Sequence, residues 1–300
     1  MKNIFFLIAF VVLYSCTKER QQLEKGSYRA VLKVNDTLEL PFNFEVLSKG
    51  SLNIYNADEI IKVDEIEYKN DSVYIKLPVF EGFIAAEIDD NQNLKGFFKK
   101  EMLNRAMPFE AEFNNKERFN VSDQPTDTDV SGNWEAVFSP DSEKGRYIAK
   151  GIFSQVGTKV VGTFRTTTGD YRFLEGVLDG NNLKLSAFDG SHAFLFTAKV
   201  KDSTMEGMFY SENHWQEPFI AKRHDNFELP NANELTFLKE GFDSINFSFP
   251  DENGIMVSLE DNRFKNKVVL VQIMGTWCPN WLDESKFYPD YYKNNQDKEF

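Results

Sequence analysis

The sequence predicts a mainly β N-terminal region made of two repeated barrel-like or sandwich-like units. Apolar or alternating segments such as "SVYIKLPVF", "YIAKGIFSQV" and "FLFTAKV" are separated by the turn-forming stretches "KNDS", "DDNQN" and "DGNN". Aromatic residues, which favour strands, make up 15% of the 300-residue chain. No convincing helical period occurs between residues 26 and 222. These observations together favour strands over helices throughout this region.

The two predicted units are copies of one pattern. "GSYRAVL" at 26–32 matches "GNWEAVF" at 132–138, and "MPFEAEF" at 107–113 matches "EPFIAKR" at 217–223. Between them, "NDSVYIKLPVFEGF" matches "NNLKLSAFDGSHAF" at a similar offset. The expected β units therefore cover residues 26–113 and 131–223, with a polar linker at 114–130.

Three roles are open for these units: a ligand-binding cup, a docking platform for a partner, or a scaffold. The scaffold is favoured, because a small barrel is normally filled by its own side chains. No metal site is predicted, since His192, His214 and His224 lack ligand-like spacing and no Cys accompanies them. His214 and Trp215 could line a pocket, although an ordinary polar loop is favoured. The net charge of −13 argues against nucleic-acid binding, and no cofactor is expected.

The first residues are predicted to be a targeting segment. Residues 1–15 resemble a signal peptide, with Lys2 ahead of the apolar run "IFFLIAFVVLY". "LYSC" at 13–16 resembles a bacterial lipobox, in which Cys16 becomes the lipidated first residue of the mature chain. The alternative is a Cys that follows a signal peptide by chance. Residues 16–25 would then be a lipidated tether, and the protein would be exported and anchored on the periplasmic side of a bacterial membrane.

The pattern changes after a polar connector at 224–242. Residues 268–274 form an apolar run suited to a buried strand of a parallel or mixed sheet. The stretch "GTWCPNW" at 275–281 follows it directly, and a helix is expected from Cys278 and Pro279 onward. If Cys16 carries lipid, Cys278 is the remaining thiol of the two cysteines.

Residues 243–300 resemble the start of a thioredoxin-like domain of the redoxin superfamily, close to the membrane-anchored TlpA/ResA type. The residues that carry the resemblance are "FPD" at 249–251, Gly254, the apolar run and the "WCP" core. The implied fold is the incomplete start of an α/β thioredoxin-like fold, truncated at its C-terminal end.

The resemblance implies a thiol–disulfide oxidoreductase. Cys278 would be the nucleophile that forms a mixed disulfide, and Trp277 and Pro279 would shape its surroundings. Trp281 stands where the resolving Cys is expected and cannot attack a disulfide, so impaired activity is expected. The implied partners are a protein disulfide or dithiol substrate and a redox donor. The alternative function is a non-catalytic binding or structural lipoprotein whose repeated β units bind a partner or ligand.

Overall fold

The computed structural model describes residues 21–78, 82–122, 128–273 and 279–295. Within these ranges the regular structure is almost all β, and the α-helical part is α1 (Pro279–Asn295). Short 3-10 turns lie at Glu101–Leu103, Ala232–Glu234 and Asn262–Phe264. Of the helices in the described ranges, none is long and apolar enough to cross a membrane.

The first β unit is a nine-stranded antiparallel sheet in the described part of the chain. Its strands are β1 (Gly26–Lys33), β2 (Glu39–Ser48), β3 (Ser51–Asn56), β4 (Glu59–Val63), β5 (Glu65–Lys69), β6 (Ser72–Lys76), β7 (Gly82–Ile88), β8 (Leu94–Lys100) and β9 (Arg105–Phe113). They pair in the order β4-β3-β2-β1-β9-β8-β7-β6-β5. The outermost strands, β4 and β5, are consecutive in the chain and are separated by Asp64 alone. Residues 59–69 therefore pair with β3 through their first half and with β6 through their second half.

The second β unit is a closed antiparallel barrel. Its strands are β10 (Gly132–Phe138), β11 (Tyr147–Val156), β12 (Lys159–Thr166), β13 (Leu174–Asp179), β14 (Asn182–Phe188), β15 (Ala193–Lys201), β16 (Thr204–Ser211) and β17 (Trp215–Arg223). Consecutive strands pair with one another, and β10 closes the barrel by pairing with β17 as well as with β11. Closure of this kind protects strand edges from pairing with other chains.

Alternation of side chains decides which residues enter the cores. In β10, Trp134, Ala136 and Phe138 are buried, whereas the intervening Glu135 and Val137 are partly exposed. Successive residues of a strand point to opposite faces of the sheet, so every second residue faces the barrel interior. The same alternation is present in β3, where Leu52, Ile54 and Asn56 are buried.

The repeat in the sequence has a matching register in the structure. The first and last strands of each unit pair with each other, with Ala30 opposite Ala111 in the first unit and Ala136 opposite Ala221 in the second. These four alanines are the equivalent positions of the matched segments "YRAVL", "WEAVF", "FEAEF" and "FIAKR". The two units therefore share the register of the strand pair that joins their ends.

A second correspondence involves an aromatic residue near the start of each unit. The Tyr28 hydroxyl donates to the carbonyl of Glu24 at 3.3 Å, and the Trp134 indole N–H donates to the carbonyl of Val130 at 2.9 Å. In both cases the acceptor lies four residues before the aromatic donor. The ring thereby fixes the segment that leads into the first strand of its unit.

Side chains fill both interiors. In the second barrel, ring centroids of neighbouring aromatic residues lie as close as 4.7 Å for Phe196 and Phe209. Its buried aromatic residues are Trp134, Phe138, Phe153, Phe164, Phe194, Phe196, Phe209 and Phe219. A barrel of about eight strands has an interior that its own side chains are able to fill.

Phe188, the last residue of β14, completes the core of the first unit. Its ring stacks on Phe42 at a centroid distance of 4.2 Å and meets Phe98 edge-on at 5.2 Å. It enters at the end of the first sheet at which β1 finishes, while Leu23 packs into the core at the other end. The first core therefore depends on a residue of the second unit.

The prediction of an α/β thioredoxin-like fold at 243–300 is wrong. Residues 268–273 form no strand, and Val268, Leu270 and Ile273 are exposed. A buried strand of a parallel sheet needs paired strands beside it and helices over both faces. In the described part of this segment there are the short antiparallel strands β18 (Ser248–Pro250) and β19 (Met256–Ser258), and α1.

Candidate functional site

The site residues predicted from the sequence lie largely outside the described residues. This applies to Cys16, Trp277 and Cys278, and to the side chains of Pro279 and Trp281. The backbones of Pro279 and Trp281 belong to the first turn of α1. Lipidation at Cys16 and the grouping of the other four residues stay predictions.

The second barrel has a polar cluster at the end where β10 finishes. The buried carboxylate of Glu217 accepts hydrogen bonds from the Tyr147 hydroxyl at 2.8 Å and from Ser139 Oγ at 2.6 Å. The Tyr171 hydroxyl lies 2.5 Å from that of Tyr147 and donates to it, because the one proton of Tyr147 goes to Glu217. Every polar group of this cluster therefore has a partner, as buried polar groups require.

Burial makes both phenols of this cluster weak acids. It raises the pKa of Tyr171 to about 12, although the contact with the Tyr147 hydroxyl opposes the shift. The pKa of Tyr147 is also raised, first by burial and then by Tyr171 and the carboxylate of Glu217. Both hydroxyls remain protonated at neutral pH and act as hydrogen-bond donors.

The equivalent end of the first unit is apolar. Leu40 pairs with Leu32 there, as Tyr147 pairs with Phe138 in the second unit, and Met107 corresponds to Glu217. The sequence analysis did not identify the polar cluster. The alignment of "MPFEAEF" with "EPFIAKR" could have revealed the cluster, because it places Glu217 at the inward-facing position that Met107 occupies in the first unit.

Arg118, from the segment predicted to be a linker, is buried between the two units. Its guanidinium donates to Ser186 Oγ and to the Tyr55 carbonyl, both at 2.9 Å, and to Asn56 Oδ1 at 3.0 Å. Burial lowers the pKa of Arg118 to about 10, and the carboxylate of Glu175 opposes the shift. Arg118 therefore stays charged at neutral pH, with Glu175 3.6 Å away as its counter-ion.

Asn56 joins the first sheet to β14 of the second unit. Its Nδ2 donates to the Phe188 carbonyl at 2.9 Å, and its Oδ1 accepts from the Phe188 N–H at 3.0 Å. The Ala57 N–H also donates to Glu175 at 2.8 Å. These bonds hold the end of β14 in place, and with it the ring of Phe188.

A groove also lies where the two units meet, and we call it the junction groove. It forms where the β16–β17 turn of the second unit meets the β1–β2 turn of the first, and its cavity measures about 310 Å³. Its lining residues are Val34, Asn35, Tyr210, Glu212, Asn213, His214, Trp215 and Gln216. Asn213 Nδ2 donates to the Ala106 carbonyl at 3.3 Å, which ties the turn to the first sheet. The volume is at the lower end of the range of about 300–1,000 Å³ for ligand sites.

Glu212 is the charged residue of the junction groove. Its side chain is 4% exposed and is bonded to Lys100 of the first unit. Lys100 also donates to the Ser191 carbonyl. Glu212 has a φ of 56°, in the left-handed region that residues other than glycine seldom adopt. Such a conformation persists where its surroundings fix it, and it is often found at binding sites.

His214 is neutral and oriented in this groove. Its Nε2 lies 3.1 Å from Arg105 Nη1, and because Arg can only donate, Nε2 is the acceptor. The ring proton is therefore on Nδ1, which is 3.7 Å from the carboxylate of Glu212. Burial lowers the pKa of His214, Glu212 opposes the shift, and the charges of Arg105 and Lys100 add to it.

Trp215 gives the groove an exposed aromatic face. Its residue is 55% exposed, which is unusual for so large an apolar side chain. His214 and Trp215 are the pair that the sequence suggested as possible pocket residues, and the structure brings both to the same lining. Val34 and Asn35 could not be recognised as lining residues from the sequence, because they come from the other unit.

A second groove of about 430 Å³ lies over the outer faces of β5, β6 and β7. Four of its five charged residues form two exposed pairs, Lys76 with Glu65 at 2.5 Å and Lys69 with Glu67 at 2.8 Å. Exposed pairs of this kind contribute little and are screened by salt. The junction groove, with its buried carboxylate, is the better candidate site.

No protein-family model matches the chain, and no curated protein is significantly similar to it. Two solved structures are similar to it, each with 11% identity and a TM-score of 0.22. One is a protein of unknown function from the DUF3598 family of Nostoc punctiforme, and the match covers 67% of this chain and 96% of that one. The other is a candidate outer membrane protein of Bacteroides fragilis, with 66% and 97% covered. Similarities this low carry no argument about the function of this chain.

The interpretation as a thioredoxin-like or redoxin-type oxidoreductase is wrong. The strand that should precede the "WCP" core is absent at 268–273, so within the described residues no strand leads into a redox helix. The alternative, a non-catalytic binding protein built from β units, fits the described structure better.

Proposed function

We propose that this chain is a non-catalytic binding protein that holds its ligand in the junction groove. One observation carries the proposal: a cavity of about 310 Å³ that combines the exposed ring of Trp215 with the buried carboxylate of Glu212. Ligand sites commonly combine an apolar surface with a few fixed polar groups. The contacts of Glu212 with Lys100 and of His214 with Arg105 fix those groups before a ligand arrives.

The barrel interiors are weaker candidates for the ligand site. Their inward-facing residues pack against one another, with Phe138 and Phe219 stacked at 5.2 Å and Phe138 and Phe164 edge-on at 5.4 Å in the second barrel. A ligand inside the barrel would have to displace rings that are already in contact. Binding at the surface where the units meet requires no such displacement.

We also propose that the protein works outside the cytoplasm, at a membrane surface. The apolar run at 4–14 followed by "LYSC" supports export and lipidation of Cys16. Labelling of the expressed protein with a lipid precursor, with Cys16→Ser as the control, tests the anchor. A wild-type protein that incorporates no label would contradict it.

The proposed binding function is tested by thermal unfolding with a panel of small molecules. The panel contains neutral sugars, sugar acids, amino acids, a nucleotide and a medium-chain fatty acid. A ligand that binds the folded state raises the Tm, so at least one compound should raise that of the wild-type protein. The same compound should have no effect on Trp215→Ala.

The matched control is Phe97→Ala, which removes another aromatic residue that is about half exposed, at 47%. It should respond to the ligand like the wild type. The proposal would be contradicted by a panel without any stabilising compound, or by a fatty acid that stabilises Trp215→Ala as much as wild type. The latter result would place the ligand inside a barrel.

A further inference from the structure

We infer that the ligand of the junction groove is a neutral, hydroxyl-rich molecule of the size of one or two sugar rings. The inference rests on the proposed binding function and names its ligand class. A cavity of about 310 Å³ limits the occupant to a small molecule. Three properties of the lining then select the chemistry: its amides, its charge and its aromatic face.

Amide side chains dominate the polar lining. Asn35, Asn213 and Gln216 each carry a carbonyl oxygen that accepts and an NH₂ group that donates. A hydroxyl group also donates and accepts, so a ligand with several hydroxyls is able to bond to the amide atoms that remain once Asn35 Oδ1 has accepted from Thr37 and Leu38 and Asn213 Nδ2 has donated to Ala106. Asn35 is held in place because its Oδ1 accepts from the backbone N–H groups of Thr37 and Leu38, both at 2.9 Å.

The charge of the lining disfavours ionic ligands. Of the eight lining residues, Glu212 is the one with a charge, since His214 is neutral at pH 7. An anion would have to draw Lys100 or Arg105 away from the carboxylate of Glu212. A cation would find the carboxylate of Glu212 already paired with Lys100, and the guanidinium of Arg105 lies 3.9 Å from the same carboxylate. A neutral ligand avoids both difficulties and can still donate a hydroxyl proton to the carboxylate.

Trp215 supplies the remaining element. A sugar ring has one face of C–H groups that is apolar, while its hydroxyls project around the edge. The exposed indole offers a flat apolar surface of similar size, and its N–H is a donor for a polar group at the rim. Amides and a carboxylate beside one aromatic face therefore match the two kinds of surface that a sugar presents.

The experiment measures binding of matched neutral and charged sugars to the purified protein. The probes are glucose, N-acetylglucosamine, maltose and cellobiose, with glucuronate as the anion and glucosamine as the cation. Binding is followed by isothermal titration and by the indole N–H signal of ¹⁵N-labelled Trp215. At least one neutral probe should bind, and its Kd should be at least tenfold lower than those of glucuronate and glucosamine. Trp215→Ala should weaken its binding at least tenfold.

A second variant separates ligand contact from folding. Gln216→Ala removes one exposed lining amide and keeps both the Glu212–Lys100 pair and the Asn213–Ala106 hydrogen bond, so it should fold and bind the neutral probe at least threefold more weakly. Trp215-dependent binding of a charged panel compound, with no binding of neutral probes, overturns the ligand class and leaves the proposed function standing. If no compound binds in a Trp215-dependent manner, both proposals are overturned.

Discussion

The two β units complete their sheets differently at one strand. In the second unit, Glu175, Gly176 and Val177 of β13 pair with β12 on one side and with β14 on the other. In the first unit these contacts are divided, because β4 pairs with β3 and β5 pairs with β6. The second unit is therefore a continuous barrel, whereas the first is a sheet that is split along a single extended segment.

Two glycines of the second unit have no counterpart in the first. Gly162 of β12 lies so close to β11 that a Cβ would come within 2.2 Å of the Ile152 carbonyl oxygen, and a Cβ at Gly176 of β13 would come within 1.8 Å of the Lys184 carbonyl oxygen of β14. Counted from the hairpin turns, the first unit has Ile54 and Ile66 at the same positions. Side chains of that size prevent the tight bend that such glycines allow at the corner of a barrel. The first unit is sealed by Phe188 instead.

Where the two units bend alike, both keep a glycine. Gly96 pairs with Phe109 in the first unit, and Gly207 pairs with Phe219 in the second. A Cβ would lie 2.0 Å from a carbonyl oxygen at Gly96 and 2.3 Å at Gly207. The comparison shows that these glycines occur where neighbouring strands approach closely, and that two of those in the second unit are replaced by larger residues in the first.

The largest effect is expected for Gly176→Ile, which gives the second unit the residue of the first. The added side chain collides with the backbone of β14, so β13 must leave one of its partners. We expect a loss of unfolding free energy of about 4 kcal/mol or more, measured by urea denaturation. Gly50→Ala is the control, because no atom lies within 4 Å of a Cβ at that position. A Gly176→Ile protein as stable as the control would contradict this explanation of barrel closure.

The next effect in size is expected for Phe188→Ala. This substitution removes the seal of the first unit and should cost about 3–5 kcal/mol of unfolding free energy, as large-to-small changes in cores do. Hydrogen exchange should accelerate in β2 and β8, which contact the ring through Phe42 and Phe98, and much less in β11 and β12. Equal acceleration in both units would show that Phe188 does not serve the first unit specifically.

A smaller effect is expected at the polar end of the second barrel. Glu217→Met introduces the residue of the first unit and leaves the hydroxyls of Ser139 and Tyr147 without their acceptor. The loss should be about 1–3 kcal/mol. Adding Tyr147→Leu, the residue at position 40, should recover part of it, because two apolar groups then replace two polar ones. A double-mutant cycle measures the coupling, and strictly additive losses would argue against a shared network.

Parts of this structure could be predicted from the sequence because they depend on local spacing. The alternation of "GNWEAVF" predicts which residues of β10 face inward, and the repeated segments align residues that share a register, such as Ala111 and Ala221. The helical start at Pro279 also followed from local pattern. Such features need only the residues of one segment.

Features that depend on distant segments could not be predicted. The apolar run at 268–273 was expected to be a buried strand, but no partner strand lies beside it in the described structure, and Ile273 is 95% exposed. The junction groove combines Val34 and Asn35 with the turn at 212–214, and nothing in either segment indicates the other. The spacing of apolar residues in a segment shows which side chains are suited to burial. Whether another surface covers them depends on the whole fold.

The position of Arg118 also affects how this chain could be divided in evolution or in the laboratory. Tandem repeats are commonly regarded as independent domains joined by a linker, each of which can be moved to another protein. Here the connecting segment is itself packed between the two units, and the guanidinium of Arg118 is hydrogen-bonded to both of them. A cut in the connecting segment would leave the leading half without Phe188 and the trailing half with Ser186 facing water. The pair of repeats, and not the single repeat, is therefore the smallest unit that can be transplanted intact.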